Sequence, residues 1–227
     1  MQKLTGILVL AIACCGFLVG AAAVQAQTQT RADVVKCNLP AMAVDACSRL
    51  MRLPNISARD RSLLHHNRGV GYQARHDHNR AIRDFAEAIR FNPKYLLAYI
   101  SRATSYNHKG KFDRAIRDAD AAIRLSPRSA EAHVVRSVSY TRKGDFDQAI
   151  RDADTAIKIK PDLAAAYAIR GHAYGKTGDI ARARADYVHA LKLKPNFEEV
   201  RTALADLDRS AQAGTAAETD AGGGKTE

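Results

Sequence analysis

The 227-residue chain has no Gly-x-Ser-x-Gly elbow, no phosphate-binding glycine loop and no His-Glu-x-x-His pair. Each of those spacings builds a particular geometry: an exposed nucleophile, a cradle of backbone N–H groups, or two zinc ligands on one helical face. Without them no catalytic residue is assigned, the chain is read as not an enzyme, and no cofactor is expected. Eight histidines are present, but zinc needs three or four converging ligands. Adjacent His65 and His66 point apart on a helix, and His76 and His78 share a turn that supplies no third ligand, so no metal site is expected. Tryptophan is absent and aromatics make up 6% of residues. The net charge is +11, from 35 Lys and Arg against 24 Asp and Glu. Such a balance raises nucleic acid as a partner. The basic residues are dispersed, however, and no aromatic-lined motif accompanies them, so nucleic acid is set aside.

Cysteines number four, and two of them, Cys14 and Cys15, lie in an apolar leader. Residues 1–26 carry one charge, Lys3, followed by an apolar run from Ile7 to Val24. Val24-Gln25-Ala26 has the small-residue form of a signal-peptidase site, which predicts a signal peptide over 1–26 and a periplasmic or secreted mature protein. Retention as a membrane anchor, or lipid attachment at Cys14 after Leu10-Ala11-Ile12-Ala13, are the alternatives. Export leaves Cys37 and Cys47, an even pair that reads as a disulfide in an oxidising compartment. Such a bridge contributes about 3 kcal/mol in the chain-entropy model. Residues 27–36 read as a linker. Residues 37–61 read as an N-terminal cap, because AVDACSRLMRLP echoes a helix repeated later in the chain without a recognisable first helix before it.

Prolines number six, and four of them stand 34 residues apart: Pro93, Pro127, Pro161 and Pro195. Each closes a similar segment: DFAEAIRFNP, DADAAIRLSP, DADTAIKIKP and DYVHALKLKP. A fixed period of this length means one supersecondary unit, repeated and stacked. With proline at position 32, the units are 62–95, 96–129, 130–163 and 164–197. Position 8 is small (Gly69, Ala103, Ser137, Gly171). Position 11 is tyrosine (Tyr72, Tyr106, Tyr140, Tyr174). Positions 20 and 27 are alanine in every unit. Positions 4, 8 and 11 share one helical face, as do 20, 24 and 27. Gly110, Gly144 and Gly178 at position 15 fit a left-handed turn after the first helix. Asp113 and Asp147 are read as caps of the second helix, and Ser57 or Asp60 as the start of the first full helix. Each unit is thus a helical hairpin that needs neighbours to bury its faces.

Two further columns coincide. Position 7 is Arg68, Arg102, Arg136 and Arg170, and position 23 is Asp84, Asp118, Asp152 and Asp186. In an antiparallel hairpin these lie at similar heights, which predicts an Arg–Asp ladder within or between repeats. After the last repeat, FEEVRTALADL is amphipathic and reads as a capping helix over 198–210. Residues 211–227, mostly Ala, Gly and Thr with scattered charge, read as disordered.

These columns resemble the tetratricopeptide repeat family over residues 62–197, a little over half the chain. The departures are at position 4, where the frequent tryptophan is replaced by His65, Tyr99, His133 and Tyr167, and at position 7, where leucine is replaced by the arginine column. His65 and His133 are expected to fill the core in place of tryptophan. The resemblance implies an all-α fold, a right-handed α-solenoid of four helical hairpins with N- and C-terminal capping helices. It also implies a concave groove lined by positions 2, 5, 9 and 12 of the first helices. In unit one these are Leu63, His66, Val70 and Gln73. In unit two they are Leu97, Ile100, Thr104 and Asn107. Unit three supplies Val134, Val138 and Thr141 beside Glu131, the one charged group. Unit four supplies Ala168 and His172 beside Ala165 and Gly175. Arg142 and Lys176 stand at the groove margin. Some members grip a terminal carboxylate with lysine and asparagine at positions 5 and 9, and neither is present here.

The expected function is therefore a scaffold that docks a peptide segment of a partner protein by shape and apolar contact. The second reading is binding of anionic lipid or polysaccharide at the envelope through basic second helices, such as Arg80, Arg83 and Arg90 or Arg114, Arg117 and Arg124. The third is self-association through open solenoid ends.

Overall fold

The computed structural model describes residues 29–222, with side chains to residue 211. The leader, its cleavage site at Ala26, and Cys14 lie outside the described residues, as do 223–227 of the tail. Every regular element among the described residues is a helix. The chain divides into two compact units at the Pro93–Lys94 boundary.

The first unit contains α1 (29–37), α2 (Ala43–Leu50), α3 (Ala58–Ala74) and α4 (His78–Phe91). Helix α1 corrects two expectations: residues 27–36 are not simply a linker, and the cap has a first helix. Its sequence carries none of the repeat columns, so the period does not reveal it. Polar and covalent ties hold it instead of an apolar stripe. Arg49 donates from Nε and Nη2 to the two oxygens of buried Asp33, at 2.9 and 2.6 Å. Cys37 and Cys47 are joined as a disulfide with a Cα–Cα distance of 5.0 Å. Arg49 holds the Asp33 carboxyl below the usual carboxylate range against the opposing effect of desolvation. Ser57 caps α3, accepting from the Asp60 N–H at 3.0 Å and donating to the Asp60 carboxylate at 2.7 Å.

The second unit contains three hairpins and a long terminal helix. The hairpins are α5 (Leu96–His108) with α6 (Phe112–Leu125), α7 (Ala130–Lys143) with α8 (Phe146–Ile159), and α9 (Ala164–Lys176) with α10 (Ile180–Leu193). Helix α11 runs from Glu198 to Gly222. It passes residue 210, where the capping helix was expected to stop, through part of the segment read as disordered. Alanine's helix propensity carries AQAGTAAET forward where no apolar stripe does.

The second helix of each repeat ends in the same way. Residues before the four prolines are forced out of the helical region. Asn92, Ser126, Lys160 and Lys194 adopt φ of −140, −146, −138 and −137°. Their N–H groups still close a last bond to Ala88, Ala122, Ala156 and Ala190. At the inner turn Gly144 has φ +85° with open space around its missing Cβ, so backbone conformation alone selects glycine. His76 takes the same place in the first unit at φ +58°.

The second-helix caps differ from the expected residues. Asp77, Asp145 and Asp179, not Asp113 and Asp147, accept the N–H three residues on, at 2.9, 3.3 and 3.0 Å. Asp113 and Asp147 sit two residues further on, within the first turn, and Asp113 instead accepts from Lys143. The equivalent cap of α6 is Lys111, which makes no side-chain cap bond. Lys111→Asp is therefore expected to stabilise the protein by about 1 kcal/mol. Thermal unfolding should show a midpoint raised by about 2–4 °C; an unchanged or lowered midpoint would exclude a missing cap there.

The interior follows a size rule that links positions 8 and 24. Where position 8 is glycine, position 24 is aromatic: Gly69 with Phe85, and Gly171 with Tyr187. Where position 8 is Ala103 or Ser137, position 24 is Ala119 or Ala153, all buried. A Cβ on Gly69 would lie 2.6 Å from Phe85 Cε1. Gly69→Ala is expected to destabilise the first unit by about 1–3 kcal/mol through overpacking. Urea unfolding of this variant with and without Phe85→Leu checks it, since the smaller partner should reduce the loss.

The Arg–Asp columns form the predicted ladder. In every hairpin the arginine of the first helix grips the aspartate of the second through Nε and Nη2, at 2.7–2.8 Å. Two arginines also reach the preceding hairpin: Nη1 of Arg136 donates to Asp120, and Nη1 of Arg170 to Asp154, each at 2.6 Å. His65 and His133 join it, with Nδ1 3.0 and 3.1 Å from Asp84 and Asp152. Burial raises the pKa of Asp84 and Asp152, but Arg68 with His65, and Arg136 with His133, hold both below the usual range. Unfolded aspartates take up protons near pH 3.9. The contribution of these two aspartates is thus complete above about pH 5 and is lost as pH falls through 4 toward the lower folded values. Urea midpoints measured between pH 3 and 7 should fall on the acid side, and a flat profile would contradict the ladder's role.

Candidate functional site

In the second unit the first helices α5, α7 and α9 lie side by side, because small residues at positions 3 and 10 let them approach. Ala98, Ala132 and Ala166 are fully buried, as are Ser105, Ser139 and Ala173. Polar ties fix their spacing. Asn107 donates to the Val135 carbonyl at 3.3 Å and accepts from the Ser139 hydroxyl at 2.8 Å. The exposed face of the three helices carries two neighbouring depressions.

The first, of about 370 Å³, is lined by Thr104, Asn107 and His108 of α5 and by Val135, Val138 and Arg142 of α7. The second, of about 460 Å³, is bounded on one side by Val138, Thr141, Arg142, Ala168, Ile169 and His172. Its other wall is Tyr187 of α10 with Phe197, Glu199, Val200 and Ala203. Val138 and Arg142 belong to both. The hydroxyls of Thr104 and Thr141 are turned back onto the carbonyls of Ile100 and Ser137. Both depressions therefore have apolar floors and few free donors.

Of the residues picked from the repeat register, Thr104, Asn107, Val138, Thr141, Ala168 and His172 converge here, with Arg142 between the two hollows. Leu97 is exposed and Ile100 half-buried, outside both. Val134 packs instead with Ala130, Ala156 and Ala166. In the first unit His66 is buried, its ring 5.6 Å from that of Phe85, and burial pushes its pKa down. It is a core residue more than a groove residue, because Gly69 draws Phe85 up against α3. Val70 and Gln73 are half-buried, while Leu63 is exposed beside an apolar hollow of about 360 Å³ that also takes in Val34, Leu53 and Ile56.

The register missed the far wall of the second hollow. Its signal was present in the apolar spacing of Phe197, Val200 and Leu204 on the terminal helix, which pack with Tyr187 and Ala190.

A wider depression of about 910 Å³ lies elsewhere, between α8 and the α9–α10 turn. Several of its charged lining groups are already paired, Asp154 with Arg170 and Asp179 with Arg182. It offers no apolar floor. Among the described residues, no cluster of three or more His, Cys, Asp or Glu is placed to hold a metal ion.

Models of the tetratricopeptide repeat match residues 102–164 and 164–197. Residues 102–197 are tetratricopeptide repeats. The repeats make the chain a protein-interaction scaffold. Among curated proteins none is significantly similar in sequence. Among solved structures, the array is similar to a thermophilic tetratricopeptide-repeat protein of Thermus thermophilus, with a TM-score of 0.64, 21% identity, and 80% of this chain and 97% of that one covered. It is also similar to MamA of Desulfovibrio magneticus, with a TM-score of 0.58, 20% identity, and 70% and 90% covered. The first repeat domain of human RPAP3 gives a TM-score of 0.51 at 24% identity, with 54% and 96% covered. At these identities the likeness is one of fold.

Proposed function

We propose that this repeat protein captures a peptide segment of a partner protein on the face of α5, α7 and α9, after export to the periplasm or cell exterior. The observation that carries the reading is the pair of apolar-floored hollows sharing Val138. A segment laid across them can seat successive side chains in each, with the rigid hairpins paying no ordering cost. Export rests on the leader sequence and the Cys37–Cys47 pair.

The competing reading places the contact on the second helices, where Arg117 and Arg124 are exposed and form no ion pair among the described residues. Anionic lipid or polysaccharide would be its ligand. Capture from a cell-envelope extract, by the mature protein and by R117E/R124E, separates the two. Groove binding leaves capture by the variant unchanged, and 1 M salt reduces it by no more than about tenfold, because apolar contact is not screened. Loss of capture in R117E/R124E, or its collapse in salt, would favour the basic face instead.

A further inference from the structure

Resting on that groove reading, we infer that the partner segment carries a side-chain carboxylate next to its anchoring apolar residue. The apolar residue enters the hollow walled by Val138 and Ala168, and Arg142 with Lys176 receives the acid.

The charges around that hollow are unbalanced. Elsewhere in the second unit the basic residues of the first helices find acids: Arg136 and Arg170 each grip two aspartates, and Lys143 donates to Asp113. Arg142 and Lys176, one turn beyond the groove positions, have no ion pair among the described residues, and both are exposed. Between them stands His172. Its pKa is pushed down by partial desolvation and then by the charges of Lys176 and Arg142. Arg142 and His172 line the hollow opposite one carboxylate, Glu199, and Lys176 stands outside the lining, near enough to act on His172. Their place at helix C-termini suits the helix dipole, but neither Arg142 nor Lys176 is paired with a carboxylate among the described residues, Glu199 being the one acid in the lining. An incoming carboxylate would relieve this repulsion, and the apolar floor lowers the local dielectric in which it acts.

The acid belongs to a side chain within the segment. The lysine and asparagine that grip a chain terminus at positions 5 and 9 are replaced here by Ala168 and His172 in the last repeat. Relief of the repulsion also raises the affinity of His172 for a proton, so binding takes up protons and tightens as pH falls from 8 to 6.

The test uses random dodecapeptides displayed internally, selected on the mature protein and counter-selected on V138K. Sequences lost on V138K are then synthesised with both ends blocked, each beside a counterpart with Asn or Gln for Asp or Glu. The expected result is enrichment of Asp or Glu within three residues of Leu, Ile, Phe or Met. R142Q/K176Q should weaken the acidic peptides by about tenfold or more beyond any loss it causes for their amide counterparts. Affinity for acidic peptides should rise about threefold from pH 8 to 6, and H172Q should flatten that rise. Val138-dependent peptides without acidic enrichment, or equal losses for acid and amide forms, would overturn the inference and leave groove binding standing. If no selected peptide depends on Val138, groove binding fails and the inference fails with it.

Discussion

Arg136→Ala is expected to cost the second unit about 2–4 kcal/mol, within the lower part of the range for breaking a buried ion pair. Arg136 is about a quarter exposed (24%), which softens the penalty, but its partner Asp152 is only 6% exposed. Removing the guanidinium leaves that carboxylate with His133 alone and strips Asp120 of its contact from the next hairpin. The midpoint of thermal unfolding should fall by roughly 5–15 °C. Two companions separate the parts. Asp120→Ala removes only the link between hairpins, at a more exposed site, and should cost about 1 kcal/mol. Arg136→Met with Asp152→Leu removes both buried charges and should be less damaging than the sum of the two single changes. Arg136→Lys should behave more like alanine than like arginine, because an ammonium cannot make the two-pronged contact. An Arg136→Ala midpoint within 2 °C of the parent would show the ladder to be ornamental.

The ladder was legible because four coincident columns reveal it in one sequence. What lay beside it was not. Asp120 and Asp154 occupy a position that is Ala86 and Val188 in the other repeats, so no column marks them, although they tie successive hairpins together. The caps were misplaced by two residues because the third repeat offers both Asp145 and Asp147, and only geometry decides which one accepts an N–H. Helix α1 was missed for a related reason: Asp33–Arg49 and Cys37–Cys47 hold it through pairs distant in sequence. The groove is an intermediate case. The register placed Val138, Thr141, Ala168 and His172 on one surface, but the closing wall comes from α11, which follows no repeat. His66 was assigned to that surface by position, and the bulk of Phe85 beneath Gly69 assigns it to the core.

Val138→Lys is the variant with the largest expected functional effect. Val138 is half-buried and borders both hollows, so a longer, charged side chain there obstructs both at once. The new ammonium also lies beside Arg142, which adds repulsion for any apolar group seeking the floor. Loss of a central anchor pocket costs binding about 100-fold or more. Folding should be little affected, because the introduced chain can extend into solvent and neither Asn107 nor the ladder depends on Val138. Far-UV circular dichroism and the unfolding midpoint should stay close to the parent values.

Parallel capture from the envelope extract by the parent, V138K and R117E/R124E, quantified by mass spectrometry, tests groove binding most directly. The expected result is a partner retained by the parent and by R117E/R124E and missing from V138K, with all three proteins equally helical. Undiminished capture by a fully folded V138K would contradict it.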